Sequence, residues 1–182
     1  MNYELAFVFP TYYEDTNIIN RFHDIKSLAH KINGKIEIII SDDTPSSQLL
    51  EKKIEQLNSN EDIKISYLDR NKQRRKKGLA SSILDGIEIS KSNFICVADV
   101  DGQNAMNDAL NLYNFAKKSN KIAIGSRFLK KGGMHSPYHF LIAYLFNLWL
   151  IPITGVKCLD KTGGFFVMPR EIYKKIIKSK YK

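Results

Sequence analysis

The sequence predicts an α/β fold, a mostly parallel central sheet with helices on both faces, from three observations. Short β-rich apolar runs at Leu5–Phe9, Ile36–Ser41, Ile63–Leu68, Phe94–Ala98 and Ile122–Ser126 alternate with longer segments of helical spacing, which is the βαβ pattern of a parallel sheet. The 182 residues, 43% hydrophobic and 26% charged, suffice for one sizeable core and are few for two. No internal repeat, low-complexity tract or Pro/Gly/Ser linker interrupts the alternation, so 1–182 reads as a single domain.

Each element has a local reason. The N-terminal run, MNYELAFVFP, lacks a basic leader and is broken by Glu4, so it reads as a first strand and not as a secretion signal. A helix is expected from near Asp15 or Thr16, with Ile18, Ile19, Phe22, Ile25 and Leu28 on its inner face, ending before Gly34. Further helices are expected at about 47–58, 79–91 and 106–118, the middle one entered from Gly78 and turning Leu79, Ile83, Leu84 and Ile87 toward the sheet. The longest apolar stretch, Phe140–Ile153, is shorter than the ~20 residues that span a bilayer and contains Asn147 and Pro152, which leaves a buried or an interfacial helix.

Lys and Arg number 28 against 19 Asp and Glu, a net charge of +9 that favours an anionic partner: nucleic acid, nucleotide, phospholipid or phosphorylated substrate. Cys96 and Cys158 stand far apart with no CxxC pair, so neither a disulfide framework nor structural zinc is expected, and a reducing compartment fits. There is no GxGxxG after the first strand, no GxxxxGK[ST], no GxSxG and no HExxH, against dinucleotide, P-loop, hydrolase and zincin readings. His135 and His139, without a nearby carboxylate or thiolate, are not read as metal ligands.

In open α/β sheets ligands bind beyond the carboxyl ends of the strands, so the chemistry belongs to the loops there. Asp99 and Asp101, one residue apart after FICVA, can turn toward one hard divalent cation, Mg²⁺ or Mn²⁺, with Gln103 as a further oxygen donor; alternatively they form an Asx-type turn with Gly102. Asp42 and Asp43, after EIIIS, can accept from a ribose hydroxyl or a base N–H, or serve a solvated turn. Glu14 lies in the first loop, where Tyr12 can stack on a base or cover the sheet edge. Arg70, Lys72, Arg74, Arg75, Lys76 and Lys77, followed by Gly78 at a helix start, make a diphosphate receptor or a solvated basic loop. The run lacks interleaved aromatics, so no nucleic-acid partner is expected.

In order, VFPTYYED, EIIISDDTPSS, KKGLASSILDGI, FICVADVDGQN, IAIGSRFLKKGG and DKTGGFFVMPRE resemble the family 2 glycosyltransferases of GT-A fold, nearest to the dolichyl-phosphate mannose synthase and polyprenyl-phosphate branch. The resemblance covers almost the whole chain. It implies a nucleotide-sugar donor held by Pro10, Tyr12, Glu14, Asp42, Asp43, Lys77 and Asp99, a metal on Asp99, Asp101 and Gln103, and catalytic roles for Asp101 and Arg127. It implies a polyprenyl-phosphate acceptor met by Ser126, Arg127 and His139. The sequence departs from the family pattern at Tyr13 for Asn, Thr44 for Gly, Gly163 for Ser, and His139 and Ala143 for an Arg and a Ser. The chain also stops at SKYK, where a further strand and helix of the family are expected to be lacking.

The expected activity is an inverting, metal-dependent transfer of a sugar, mannose from GDP-mannose, to a polyprenyl or dolichyl phosphate. The alternatives are a UDP-glucose-dependent transferase and an inactive nucleotide-binding or scaffolding module. The expected location is the cytosolic face of a membrane, with peripheral contact through 138–153. Sugar, acceptor and oligomeric state stay open.

Overall fold

The computed structural model describes residues 3–45, 48–57, 62–102, 104–129, 136–156 and 158–180. Six strands form one sheet: β1 (Tyr3–Thr11), β2 (Ile36–Asp42), β3 (Ile63–Asp69), β4 (Ser92–Val97), β5 (Ala123–Ile124) and β6 (Phe166–Pro169). Six α-helices accompany them among the described residues: α1 (Asp15–Leu28), α2 (Gln48–Leu57), α3 (Leu79–Ile89), α4 (Met106–Ser119), α5 (Pro137–Thr154) and α6 (Arg170–Lys180). The strand order is β3-β2-β1-β4-β6-β5. The first four strands are parallel, whereas β6 enters antiparallel between β4 and β5.

The alternation along β1 explains the two layers of core. Leu5, Phe7 and Phe9 face one way, onto Ile18, Phe22 and Ile25 of α1, Leu50 and Ile54 of α2, and Ala109 and Tyr113 of α4. Ala6 and Val8 face the other way, onto Ile87 of α3 and, through Met168, the Tyr173 face of α6. Helices therefore cover both faces, as expected.

All five anticipated strands match to within two residues at each end, although the fifth shrinks to Ala123–Ile124. The sequence reading lacked β6 and α6 altogether. The strand is four residues long and ends in a proline, too short for a period-2 signal.

The buried-helix reading of the Phe140–Ile153 stretch is overturned. Helix α5 is longer than its apolar run, starting from Ser136, whose Oγ accepts from the His139 N–H at 3.4 Å, and ending at Gly155 in the left-handed conformation. Among the described residues it is the one helix long and apolar enough to cross a membrane, yet only 6% of it is buried within the protein. Tyr138, Leu141, Leu145 and Trp149 are more than half exposed, and only Asn147 is fully buried.

Candidate active site

Strand order places β2 and β4 on either side of β1, so the loops leaving β1 and β4 splay apart at a topological switch point. A cleft of ≈ 480 Å³ opens there. Pro10, Thr11, Tyr12 and Glu14 line it from β1, Asp43 from β2, Lys77, Gly78, Leu79 and Ser82 from the start of α3, and Asp99, Val100 and Asp101 from β4. Of the residues expected to hold the donor or metal, Pro10, Tyr12, Glu14, Asp43, Lys77, Asp99 and Asp101 thus share one cavity.

Asp42 lies elsewhere. It is 1% exposed, and its carboxylate accepts from the Thr11 hydroxyl at 2.9 Å, the Thr44 N–H at 3.1 Å, the Thr44 hydroxyl at 2.7 Å and the Tyr67 hydroxyl at 2.9 Å. It knots the loops after β1 and β2 together and does not line the cleft.

The basic loop also divides into parts with different duties. Arg70 is fully buried: its Nε donates to Asp43 at 2.9 Å, and its other nitrogens donate to Asp85, to Ser81 and to the Lys76 carbonyl. Lys72 pairs with Glu51 and Asp69, and Arg75 pairs with Asp85. That corrects the reading of a six-cation diphosphate receptor, because three of the cations are spent on carboxylates within the fold. Lys77 lines the cleft beside Gly78, whose φ of 122° demands glycine and whose N–H donates to Asp43 at 3.2 Å. The first turn of α3 then presents backbone N–H groups to an anion.

Asp99 and Asp101 are a pair of carboxylates one residue apart. Burial and the neighbouring Asp101 charge push the Asp99 carboxyl above its usual range, with a hydrogen bond from Asn104 opposing them. A like-charged pair of hard oxygen donors, Asp99 half-buried and Asp101 exposed, suits a divalent cation, and two carboxylates plus substrate phosphates are a common Mg²⁺ environment. Among the described residues no group of three or more His, Cys, Asp or Glu stands ready to hold a metal by itself, and Gln103 lies outside the described residues.

Beside this pair stands a second cluster. Arg127 grips the buried Asp160 with Nε at 2.9 Å and Nη2 at 2.7 Å, its backbone N–H donates to the same carboxylate at 2.9 Å, and Nη2 also reaches Thr162 at 2.7 Å. Burial would raise the Asp160 carboxyl, but the Arg127 hydrogen bonds and charge, with the Gly163 N–H, outweigh it and hold the group below the usual range. A Cβ placed on Gly164 would lie 3.9 Å from both Asp99 oxygens, so this loop abuts the cleft. Gly125 is required for the approach, since a Cβ there would meet the Phe165 ring at 2.5 Å.

A group held down in this way contributes stability above the ordinary carboxylate range near pH 4, and loses it as pH falls through the lowered folded value. Asp160→Asn is therefore expected to lower Tm at pH 7, with the gap to wild type narrowing as pH falls through the ordinary carboxylate range toward the lowered folded value. A pH series of melting curves checks this; a constant offset down to pH 2 would refute it.

Ser126 uses its hydroxyl to accept from the Phe128 N–H at 3.3 Å. His139 is exposed on the first turn of α5 with its ring 6.0 Å from Tyr138, and it does not line the cleft. Residues to which the sequence alone assigned no site role join these parts. Asn147 donates to Thr162 at 3.0 Å and accepts from the Lys161 N–H at 2.6 Å, while Phe128 packs edge-on against Phe140 and Tyr144 of α5. The signal for Asn147 was present: a lone amide in an apolar helix is a buried polar group seeking partners.

A model of the family described as Glycosyl transferase family 2 matches residues 6–177. The chain is 26% identical over 175 residues to a dolichol-phosphate mannosyltransferase of Pyrococcus furiosus, covering 93% of this chain and 47% of that protein. It is 25% identical over 172 residues to an uncharacterized glycosyltransferase of Synechocystis sp., covering 94% and 52% respectively. The chain thus spans about half the length of the curated relatives it matches. Solved structures of similar fold include glucosyl-3-phosphoglycerate synthase of Mycobacterium tuberculosis with Mn²⁺, UDP and glucosyl-3-phosphoglycerate (TM-score 0.62, 16% identity, 93% of this chain and 57% of that one). Mannosyl-3-phosphoglycerate synthase of Rubrobacter xylanophilus is similar too (TM-score 0.64, 14% identity, 93% and 54%).

Proposed function

The chain belongs to glycosyl transferase family 2, and from that premise we propose that it transfers a hexose, mannose from GDP-mannose, to a polyprenyl phosphate with inversion. The observation that carries this reading is the convergence of Tyr12, Glu14, Asp43, Lys77, Asp99 and Asp101, from four loops, on one cleft. The likeness to the Pyrococcus mannosyltransferase supports the choice of sugar and acceptor.

The acceptor needs no base, because a phosphate monoester is already ionised near pH 7. One of its oxygens forms the new bond at the anomeric carbon as the bond to the nucleoside diphosphate breaks on the opposite face, the electron pair leaving with the diphosphate. Asp99 and Asp101 are the residues that would hold a divalent cation, Mg²⁺ or Mn²⁺, which would supply electrostatic stabilisation to that leaving group. Lys77 and the amide groups opening α3 add to it. Arg127 turns two nitrogens to Asp160 and Thr162, while its Nη1, without a partner among the described residues, is the atom offered to the acceptor phosphate. Orientation is its contribution.

Incubation with GDP-mannose or UDP-glucose, Mn²⁺ and a short polyprenyl phosphate tests the reading: a glycosyl phospholipid from GDP-mannose supports it. Product from UDP-glucose alone would favour the second reading, motivated by the UDP and Mn²⁺ of the Mycobacterium synthase. Nucleotide binding without product favours the inactive module.

The exposed apolar side of α5 fits a lipid surface near such an acceptor, with Leu141, Leu145 and Trp149 outward. Lys130, Lys131 and Lys157, which flank the apolar stretch in sequence, lie outside the described residues. Leu145→Glu with Trp149→Glu should cut flotation with anionic liposomes at least fivefold, each charge costing roughly 1 kcal/mol or more at an interface. Flotation unchanged by that pair, or absent in wild type, would remove the membrane contact.

A further inference from the structure

Tyr13 is an exposed aromatic residue in a conformation that costs free energy. Its φ is 58°, in the left-handed region that bulky side chains avoid. Of the other non-glycine residues of positive φ among those described, Asn120 closes α4, where asparagine is tolerated, and Arg74 sits in a solvated turn. Packing does not repay Tyr13, since the residue is 63% exposed. The conformation is nonetheless held from outside: the Tyr13 N–H donates to the Thr44 hydroxyl at 2.8 Å, and that hydroxyl in turn donates to the buried Asp42. Tyr13 and Thr44 are two of the departures from the family pattern, and here they touch.

The ring's main neighbour is functional. Tyr13 lies edge-on to Tyr12, centroids 4.5 Å apart at 72°. Tyr12 lines the cleft, whereas Tyr13 lines the shallow depression behind it with Glu14, Thr16 and Asn17. An edge-to-face partner restricts a half-exposed ring to one orientation, and a ring held still loses less entropy when a base stacks on it.

We infer that Tyr13 is a positioning residue for base recognition, its ring bracing Tyr12 so that the Tyr12 face meets the base of the bound nucleotide. The inference rests on the nucleotide-sugar reading above. It concerns the nucleoside end of the cleft, so the diphosphate end should not feel it. The backbone strain is then a local sacrifice of stability at a binding site.

Calorimetric titration of wild type, Tyr13→Asn and Tyr13→Phe with GDP, UDP and inorganic pyrophosphate, each with Mn²⁺, tests it beside melting curves. Tyr13→Asn should gain roughly 2–4 °C in Tm, because asparagine tolerates the left-handed region. The same variant should lose roughly two- to tenfold in affinity for whichever nucleotide wild type binds, the range an edge-to-face aromatic pair supplies. Its pyrophosphate affinity should be unchanged, and Tyr13→Phe should bind as wild type does. Equal nucleotide affinity in Tyr13→Asn, or an equal loss for pyrophosphate, overturns the bracing role while leaving the proposed function intact. A wild type that binds pyrophosphate but neither nucleotide overturns both.

Discussion

Asp99→Asn combined with Asp101→Asn is expected to lower turnover by about a thousandfold or more, the scale on which removal of electrostatic stabilisation from a leaving group is felt. The fold should survive. Both carboxylates line the cleft, Asp101 exposed and Asp99 half-buried, and the burial cost and charge repulsion that push the Asp99 carboxyl up disappear in the variant. The double variant should therefore melt no lower than wild type in metal-free buffer. It should also lose the difference in nucleotide affinity between Mn²⁺ and EDTA that is expected of wild type. Turnover within tenfold of wild type would sink the metal-assisted mechanism; a large fall in Tm would move these carboxylates from chemistry to architecture.

Arg70→Met is expected to cost about 3–5 kcal/mol of stability, because it leaves the nearly buried Asp43 and Asp85 facing a neutral side chain. Asp85 keeps Arg75 at 2.9 Å, so most of the loss should come from Asp43. For a protein of this size the loss corresponds to a fall in Tm of roughly 10 °C. Arg70→Lys should recover little of it, since one ammonium cannot reach Asp43, Asp85, Ser81 and the Lys76 carbonyl from one plane. Denaturant titration of both variants measures this. A cost under 1 kcal/mol for Arg70→Met would show that the carboxylates find water or other partners.

These two sites mark how far the residues alone could be read. The alternation of β1, β2, β3 and β4 with their helices was legible because β1 and β2 are largely apolar and buried on both faces, the pattern of a parallel sheet, while β3 at the edge alternates buried and exposed residues. Asp99 and Asp101 were legible because their spacing is local. The positive charge of the 70–77 loop was visible, but its division of labour was not: Arg70 is claimed by Asp43 and Asp85, 27 and 15 residues away, and no periodicity reports such pairings. Asp42 and Asp43 look equivalent in sequence. The structure separates them by one step of the chain, one tying loops together and one lining the cleft. Arg127 was picked out by its motif, whereas its grip on Asp160 depends on a loop from 33 residues later.

The arrival of β6 between β4 and β5 has a consequence for how the chain assembles. Everything needed for β1 to β4, and for the Asp99–Asp101 loop, is present once about the first hundred residues are made. Among the described residues β5 pairs with no strand except β6, so it must wait for residues 166–169 before it has a ladder to join. The Arg127–Asp160 clasp, which bridges the segments flanking those two strands, waits with it. During synthesis at ~5–20 residues per second, the donor half of the cleft exists for seconds before its other wall closes. In that interval the edge of β4 is open, and a slow or mistaken docking of β6 is the step at which the growing chain is most exposed to association with its copies.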